Sequence, residues 1–219
     1  VSRFKTILVP QGAEYRSVCR GLQSLRQPPS VVAIPLGASG MTPGLVSGLA
    51  PGAVLMVGLG GSLCPQHRIG DVVIYCDCVD TLNGGERHQR CDRTLTDHLA
   101  QRLPGAALGR GLTSDRLITS AQEKHQLHTT FAAAVVDMEG AVVLNALAPR
   151  PVAIVRVISD AHDQDLPNLE AALGTDGSLR PWPLTLAFLR QPLAAGGLIH
   201  SSLKGLEGLQ RLISQLFRD

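Results

Sequence analysis

Two stretches that are apolar on both faces constrain this chain more than anything else in it. Val152 to Ile158 is a hydrophobic run broken only by Arg156, and it ends at Ser159 and Asp160. Ala133 to Val136 is a second such run, leading through Asp137, Met138 and Glu139 into the apolar helix predicted from Gly140 to Leu147. Strands of this kind belong in the middle of a sheet covered on both sides, because neither face has the polar residues that water would require. Acidic tips at the carboxyl ends of such strands lie where open α/β sheets bind ligands. A functional role therefore outweighs a solvated surface charge, and two carboxylates in one cleft can divide binding from proton donation.

At 219 residues with 44% hydrophobic content, the chain is long enough for one substantial domain. Lys and Arg number 20 against 18 Asp and Glu, a near balance that argues against a broad nucleic-acid surface. With one Trp, two Tyr and four Phe, a base-stacking platform for single strands is excluded as well. The cysteines, Cys19, Cys64, Cys76, Cys78 and Cys91, are odd in number and contain no C-x-x-C, so most of them read as small buried hydrophobes of a reducing, cytoplasmic compartment. No signal-like stretch or bilayer-length apolar run is present, and no membrane partner is expected.

Along the chain, strands are predicted at Lys5–Pro10, Val31–Pro35, Val54–Gly58, Asp71–Val79 and Ala107–Leu112, and helices at Ala13–Leu25, Thr94–Leu103 and Ala121–Phe131. Alternation of this kind indicates one α/β domain over residues 1–219, with no repeat or linker to divide it. Residues 166–192 are rich in Pro and Gly. Leu193 to Phe217 is amphipathic with glycines at 196, 197, 205 and 208, and reads as helices packed on the same domain.

Several short motifs carry competing readings. Gly58-Leu59-Gly60-Gly61-Ser62 follows a strand and is either a loop offering amides to an anion or sugar, chiefly from Gly60 and Gly61, or a tight turn needing positive φ. It departs from G-x-G-x-x-G at Leu63, and no helix precedes the strand carrying Asp77 and Asp80, so dinucleotide binding is disfavoured. Glu14 stands in the first turn of a helix, as a dipole partner or as a base at the sheet's edge. His125 and His128 share a helix face, with His88, Cys91 and His98 upstream. No third and fourth ligand falls at suitable spacing, so no metal is expected. A serine hydrolase is disfavoured for want of a G-x-S-x-G elbow.

Six blocks in order carry a resemblance to the nucleoside phosphorylase and nucleosidase superfamily, especially 5′-methylthioadenosine/S-adenosylhomocysteine nucleosidases. They are Ile7-Leu8-Val9 with Gly12-Ala13-Glu14; Val57 to Leu63; Ile69-Gly70-Asp71-Val72-Val73; Ser114-Asp115; Val136 to Ala141; and Arg156 to Asp160. The segment after Leu166 more loosely resembles a bacterial branch that includes hopanoid-associated phosphorylases. The resemblance implies a single-domain three-layer α/β sandwich with a mixed central sheet. It also implies cleavage of the N-glycosidic bond of a purine nucleoside of the 5′-substituted adenosine type.

In that reading Glu139 grips the ribose hydroxyls, Met138 packs on the sugar, Asp160 protonates the base, and Ser159 and Arg156 orient Asp160. Glu14 matches the carboxylate that activates water. Leu117 and Ile118, with Ser159, border the base. Two residues depart from the family pattern. Leu59 replaces a Ser or Thr, and Leu117 replaces a stacking aromatic, a loss on the order of 1 kcal/mol. An apolar lining of this kind suits a hydrophobic 5′ substituent.

Glu14 beside the anomeric face favours hydrolysis, since a carboxylate repels phosphate. Phosphorolysis remains the alternative, with Arg16 or Arg20 as candidate cations and phosphate as co-substrate. A nucleoside-binding protein of little activity is the third reading. No cofactor is expected in any of them. The resemblance further implies a homodimer or higher homo-oligomer, with 36–49 and 87–97 as the expected contact segments.

Overall fold

The computed structural model describes residues 3–37, 41–81, 86–166 and 192–218; of residues 192–198 it describes the backbone. In chain order the elements are β1 (Phe4–Pro10), α1 (Ala13–Leu22), β2 (Ser30–Ile34), α2 (Pro43–Gly48), β3 (Ala53–Ser62), β4 (Val72–Asp80) and β5 (Arg87–Arg90). There follow α3 (Arg93–Arg102), β6 (Ala107–Thr113), α4 (Ala121–Phe131), β7 (Val135–Asp137), α5 (Gly140–Leu147), β8 (Val152–Asp160) and α6 (Pro192–Leu216). Residues 38–40, within the first expected contact segment, and 167–191, within the Pro- and Gly-rich stretch, lie outside the described residues.

The strands pair in the order β2-β1-β3-β7-β6-β4-β5, and β8 pairs with both β3 and β4. That double pairing closes a ring of β3, β7, β6, β4 and β8. Parallel pairs (β1 with β2 and β3, β3 with β8, β4 with β6, β6 with β7) stand beside antiparallel ones (β3 with β7, β4 with β5 and β8), so the sheet is mixed as expected.

Alternate residues of the central strands feed opposite cores. Ile7, Val9, Leu55, Val57, Val155 and Val157 pack against Val18 and Leu22 of α1, Leu99 of α3 and Leu209, Leu212 and Ile213 of α6. Leu8, Val54, Met56 and Ile154 pack instead with Val143, Leu144 and Leu147 of α5. The absence of a polar face in the sequence thus has its cause in two covered faces. Each such side chain, fully buried, contributes about 1.5–3 kcal/mol.

Three expectations change. The segment Gly58–Ser62 is neither a free loop nor a positive-φ turn, but the end of a ten-residue strand paired to β7 and β8. Its glycines are there because side chains cross it closely. A Cβ on Gly58 would collide with the Arg156 guanidinium, and one on Gly61 would lie 2.9 Å from Asp160 Oδ2. The short strand β5, Arg-His-Gln-Arg, escaped the hydrophobic pattern because it is a mostly exposed edge strand.

Finally, α6 runs unbroken through its glycines. A Cβ on Gly208 would lie 2.9 Å from Val157 Cγ1, so that glycine admits the sheet to close range instead of ending the helix. Among the described residues no helix is long and apolar enough to cross a membrane.

Candidate active site

The carboxyl ends of β1, β3, β7 and β8 meet around a cleft of about 160 Å³, into which Glu14, Met138, Glu139, Ser159 and Asp160 all contribute. Gly60, Gly61, Leu117 and Ile118 line it too, so every residue expected to bind or turn over a nucleoside borders one cavity, except Arg156 and the alternative cations Arg16 and Arg20. Glu14 reaches it because Gly12, at φ 93°, turns the chain sharply from β1 into α1. Its Oε2 accepts the Leu59 N–H at 2.7 Å. Burial pushes the Glu14 carboxyl up to about 8. Arg156 opposes the rise, and the carboxyl groups of Glu139 and Asp137 add to it.

β7 ends in a division of labour between Asp137 and Glu139. Asp137 Oδ1 accepts the Gly140 N–H at 3.0 Å and the Thr113 hydroxyl at 2.8 Å, so Asp137 satisfies the amino end of α5. Glu139, although it stands at the N-cap position, makes no side-chain cap bond and is left for the cleft. Its Oε1 accepts the Gly37 N–H at 2.9 Å and its Oε2 accepts Arg156 Nη2 at 3.3 Å. Burial raises the Glu139 carboxyl above its ordinary range, with Arg156 opposing and Asp137 reinforcing.

Arg156 lies beneath this group rather than beside Asp160. It is fully buried, donates from Nε to Asp137 Oδ2 at 2.9 Å, and meets Glu139 on Nη2. Its expected role of orienting Asp160 is therefore corrected: on β8 it points into the closed ring, where Asp137 and Glu139 supply the counter-charge. Burial works against its charge, but these carboxylates more than offset that and hold the guanidinium above its usual value. Its Nη1 has no hydrogen-bond partner among the described residues and sits, with Glu14 Oε2, over the bare face of Gly58.

Asp160 is held by other residues. The register of β3 against β8 slips between Gly60 and Gly61, which pair with Ile158 and Asp160, so Ser159 is unmatched. Such a bulge re-aims the next side chain. Asp160 Oδ1 accepts the Ser159 hydroxyl at 2.8 Å, and Oδ2 receives Lys124 Nζ at 2.5 Å. Lys124, on α4, is wholly buried. Sequence reasoning missed it: that helix drew notice for its histidines, and one lysine in a surface-like stretch gives no sign that it turns inward. His128 serves structure, its Nδ1 lying 2.8 Å from the Ala133 carbonyl.

Leu59 lines the cleft and also touches the carboxyl-terminal helix. Its side chain packs toward α6, with Cδ2 3.1 Å from where a Cβ on Gly205 would stand. Among the described residues no group of three or more His, Cys, Asp or Glu is placed to hold a metal ion.

Residues 34–176 match the family model of the phosphorylase superfamily, about two thirds of the chain. The chain belongs to the phosphorylase superfamily. Solved structures of this superfamily's fold match nearly end to end. The futalosine hydrolase of Helicobacter pylori strain 26695 aligns at TM-score 0.70 with 16% identity, covering 96% of this chain and 95% of that one. The 5′-methylthioadenosine/S-adenosylhomocysteine nucleosidase of Helicobacter pylori aligns at 0.69 with 17% identity, over 96% of each chain. A putative nucleosidase of the same name from Francisella philomiragia aligns at 0.68 with 17% identity, over 98% of each. At these identities the likeness establishes a shared fold. Comparison with curated proteins finds no match.

Proposed function

We propose that this superfamily member hydrolyses the N-glycosidic bond of a purine nucleoside of the 5′-substituted adenosine type. The observation that carries the reading is the spacing of two charged stations along β3. Glu14 and Arg156 crowd Gly58, and Asp160 crowds Gly61. Three residues of strand separate them by about 10 Å, room for a sugar at one station and a base at the other. The solved neighbours named as nucleosidases and a futalosine hydrolase support this choice of substrate class.

In this reading Glu139 accepts hydrogen bonds from the ribose hydroxyls, and Met138 packs against the sugar. Glu14 faces the attacking water and takes its proton, with the buried Arg156 guanidinium beneath it. Asp160 serves the departing base, bordered by Leu117, Ile118 and Ser159. An oxocarbenium-like sugar is stabilised by the carboxylates beneath it, and an acid at the base contributes about 10²–10⁴-fold in rate.

Phosphorolysis keeps one observation in its favour, the cation Arg116 on the cleft wall, already ion-paired with Glu123. Arg16 and Arg20, the cations considered from the sequence, are not among the residues lining the cleft. Incubation with 5′-methylthioadenosine and adenosine in ¹⁸O-labelled water, with and without phosphate, tests the proposal. Free adenine is expected without phosphate, with methylthioribose or ribose as the other product and no sugar 1-phosphate. Strict phosphate dependence would favour the alternative, and no free base would overturn both.

A further inference from the structure

Lys124 is a buried ammonium that meets the base-side carboxylate, and its contacts extend well beyond Asp160. Its Nζ donates to Asp160 Oδ2 at 2.5 Å, to the Ala161 carbonyl at 2.8 Å and to the Gln164 carbonyl at 3.1 Å. An ammonium has three N–H bonds, and here each ends on protein oxygen. Lys124 therefore has no donor left for a substrate and can act only through Asp160. The same segment is tied twice more to α4 and the residues just before it. Asp165 Oδ1 accepts the Ala121 N–H at 2.7 Å, and the Leu166 N–H donates to the Thr119 carbonyl at 2.8 Å. Residues 161–166 and the amino end of α4 thus form a clasp, with Lys124 at its centre and Leu117 and Ile118, which line the base side, just ahead of it in the chain.

We propose that Lys124 is a positioning residue for base departure, holding Asp160 and the 161–166 segment against the leaving base. This rests on the reading of the cleft as an N-glycosidase site. The chemistry gives it a reason. When the bond from C1′ to the base nitrogen breaks, the electron pair goes to the base, and a lone carboxylate beside it would repel that charge. Paired with an ammonium, the carboxylate presents no net charge. One proton passes from the Lys124–Asp160 pair through Asp160 to the base, water attacks the sugar, and the pair regains a proton from solvent.

The test compares Lys124→Met with wild type on two substrates, a purine nucleoside and p-nitrophenyl riboside, whose leaving group needs no proton. Hydrogen exchange of residues 161–166 is measured in parallel. Purine cleavage should fall about 100-fold while p-nitrophenyl release changes no more than about threefold, and the 161–166 amides should exchange at least tenfold faster. Equal loss on both substrates, or unchanged exchange, would overturn the role of Lys124. If wild type cleaves neither substrate, the glycosidase reading fails instead, and exchange alone decides whether Lys124 holds the segment. Should Lys124→Met not fold, Lys124→Met with Asp160→Asn removes both charges. Faster 161–166 exchange in that double variant supports the clasp, and wild-type exchange refutes it.

Discussion

The two ends of the cleft are charged on opposite plans. At the β7 end three carboxyl groups, Glu14, Asp137 and Glu139, face one guanidinium, Arg156, and burial drives Glu14 and Glu139 upward in pKa. At the β8 end a single carboxylate, Asp160, meets a single buried ammonium, Lys124. The first is an excess of acid that gains from a positive charge arriving beside it. The second is balanced. A reaction that leaves its sugar cationic and its base neutral needs this asymmetry, and one strand, β3, sets the two stations apart.

The strongest challenge to the comparison is Arg156→Met. It leaves Asp137 and Glu139 buried without a counter-charge, so a loss of about 3–5 kcal/mol in stability is expected. Urea unfolding would report it; a loss under 1 kcal/mol would show that the carboxyl groups at that end do not depend on Arg156. Asp160→Asn comes next, with base release from a purine nucleoside falling by about 10²–10⁴-fold. The fold should persist but melt lower, because Lys124 loses its counter-charge. Adding Lys124→Met should recover melting temperature without recovering turnover.

A smaller effect belongs to Glu139→Gln, which should raise KM and lower kcat together, since its grip strengthens as the sugar becomes positive. A 2′-deoxynucleoside should be less sensitive to this change, and equal sensitivity would remove Glu139 from the 2′-hydroxyl.

A separate handle on the same end is the pH dependence of Glu14. With its carboxyl raised to about 8, the base form grows tenfold per pH unit below that value, so kcat/KM should climb toward pH 8 and then level. Glu14→Gln should remove that limb along with most activity. The linkage to stability has the opposite sign. The folded protein holds this proton where the unfolded chain, near 4.5, has lost it, so this group's contribution declines as pH rises from about 4.5 through 8. Thermal melts of wild type and Glu14→Gln across that range should converge in slope if Glu14 is not the group responsible.

The sequence announced the β7 end more fully than the β8 end, for a physical reason. Asp137 and Glu139 follow an apolar strand and precede an apolar helix, so local pattern alone places them at a sheet edge. Asp160 was legible in the same way, as the tip of β8. What lay hidden was contact between distant segments. Lys124 reaches Asp160 across 36 positions, and nothing in its own helix marks it as buried. Arg156 is visible in the sequence, but the resemblance implies Asp160 as its partner, whereas the ring of strands turns it toward Asp137. The glycines of β3 suggest a loop or a turn in the sequence because a strand's need for bare backbone arises only from the side chains that cross it.

The asymmetry between the two ends is tested most directly by measuring kcat/KM of Asp160→Asn and Glu139→Gln on both a purine nucleoside and p-nitrophenyl riboside. The account predicts that Asp160→Asn loses about 100-fold or more on the purine nucleoside and little on p-nitrophenyl riboside, whereas Glu139→Gln loses equally on both, because only the sugar end is common to the two substrates. Equal losses on both substrates for both variants would contradict it.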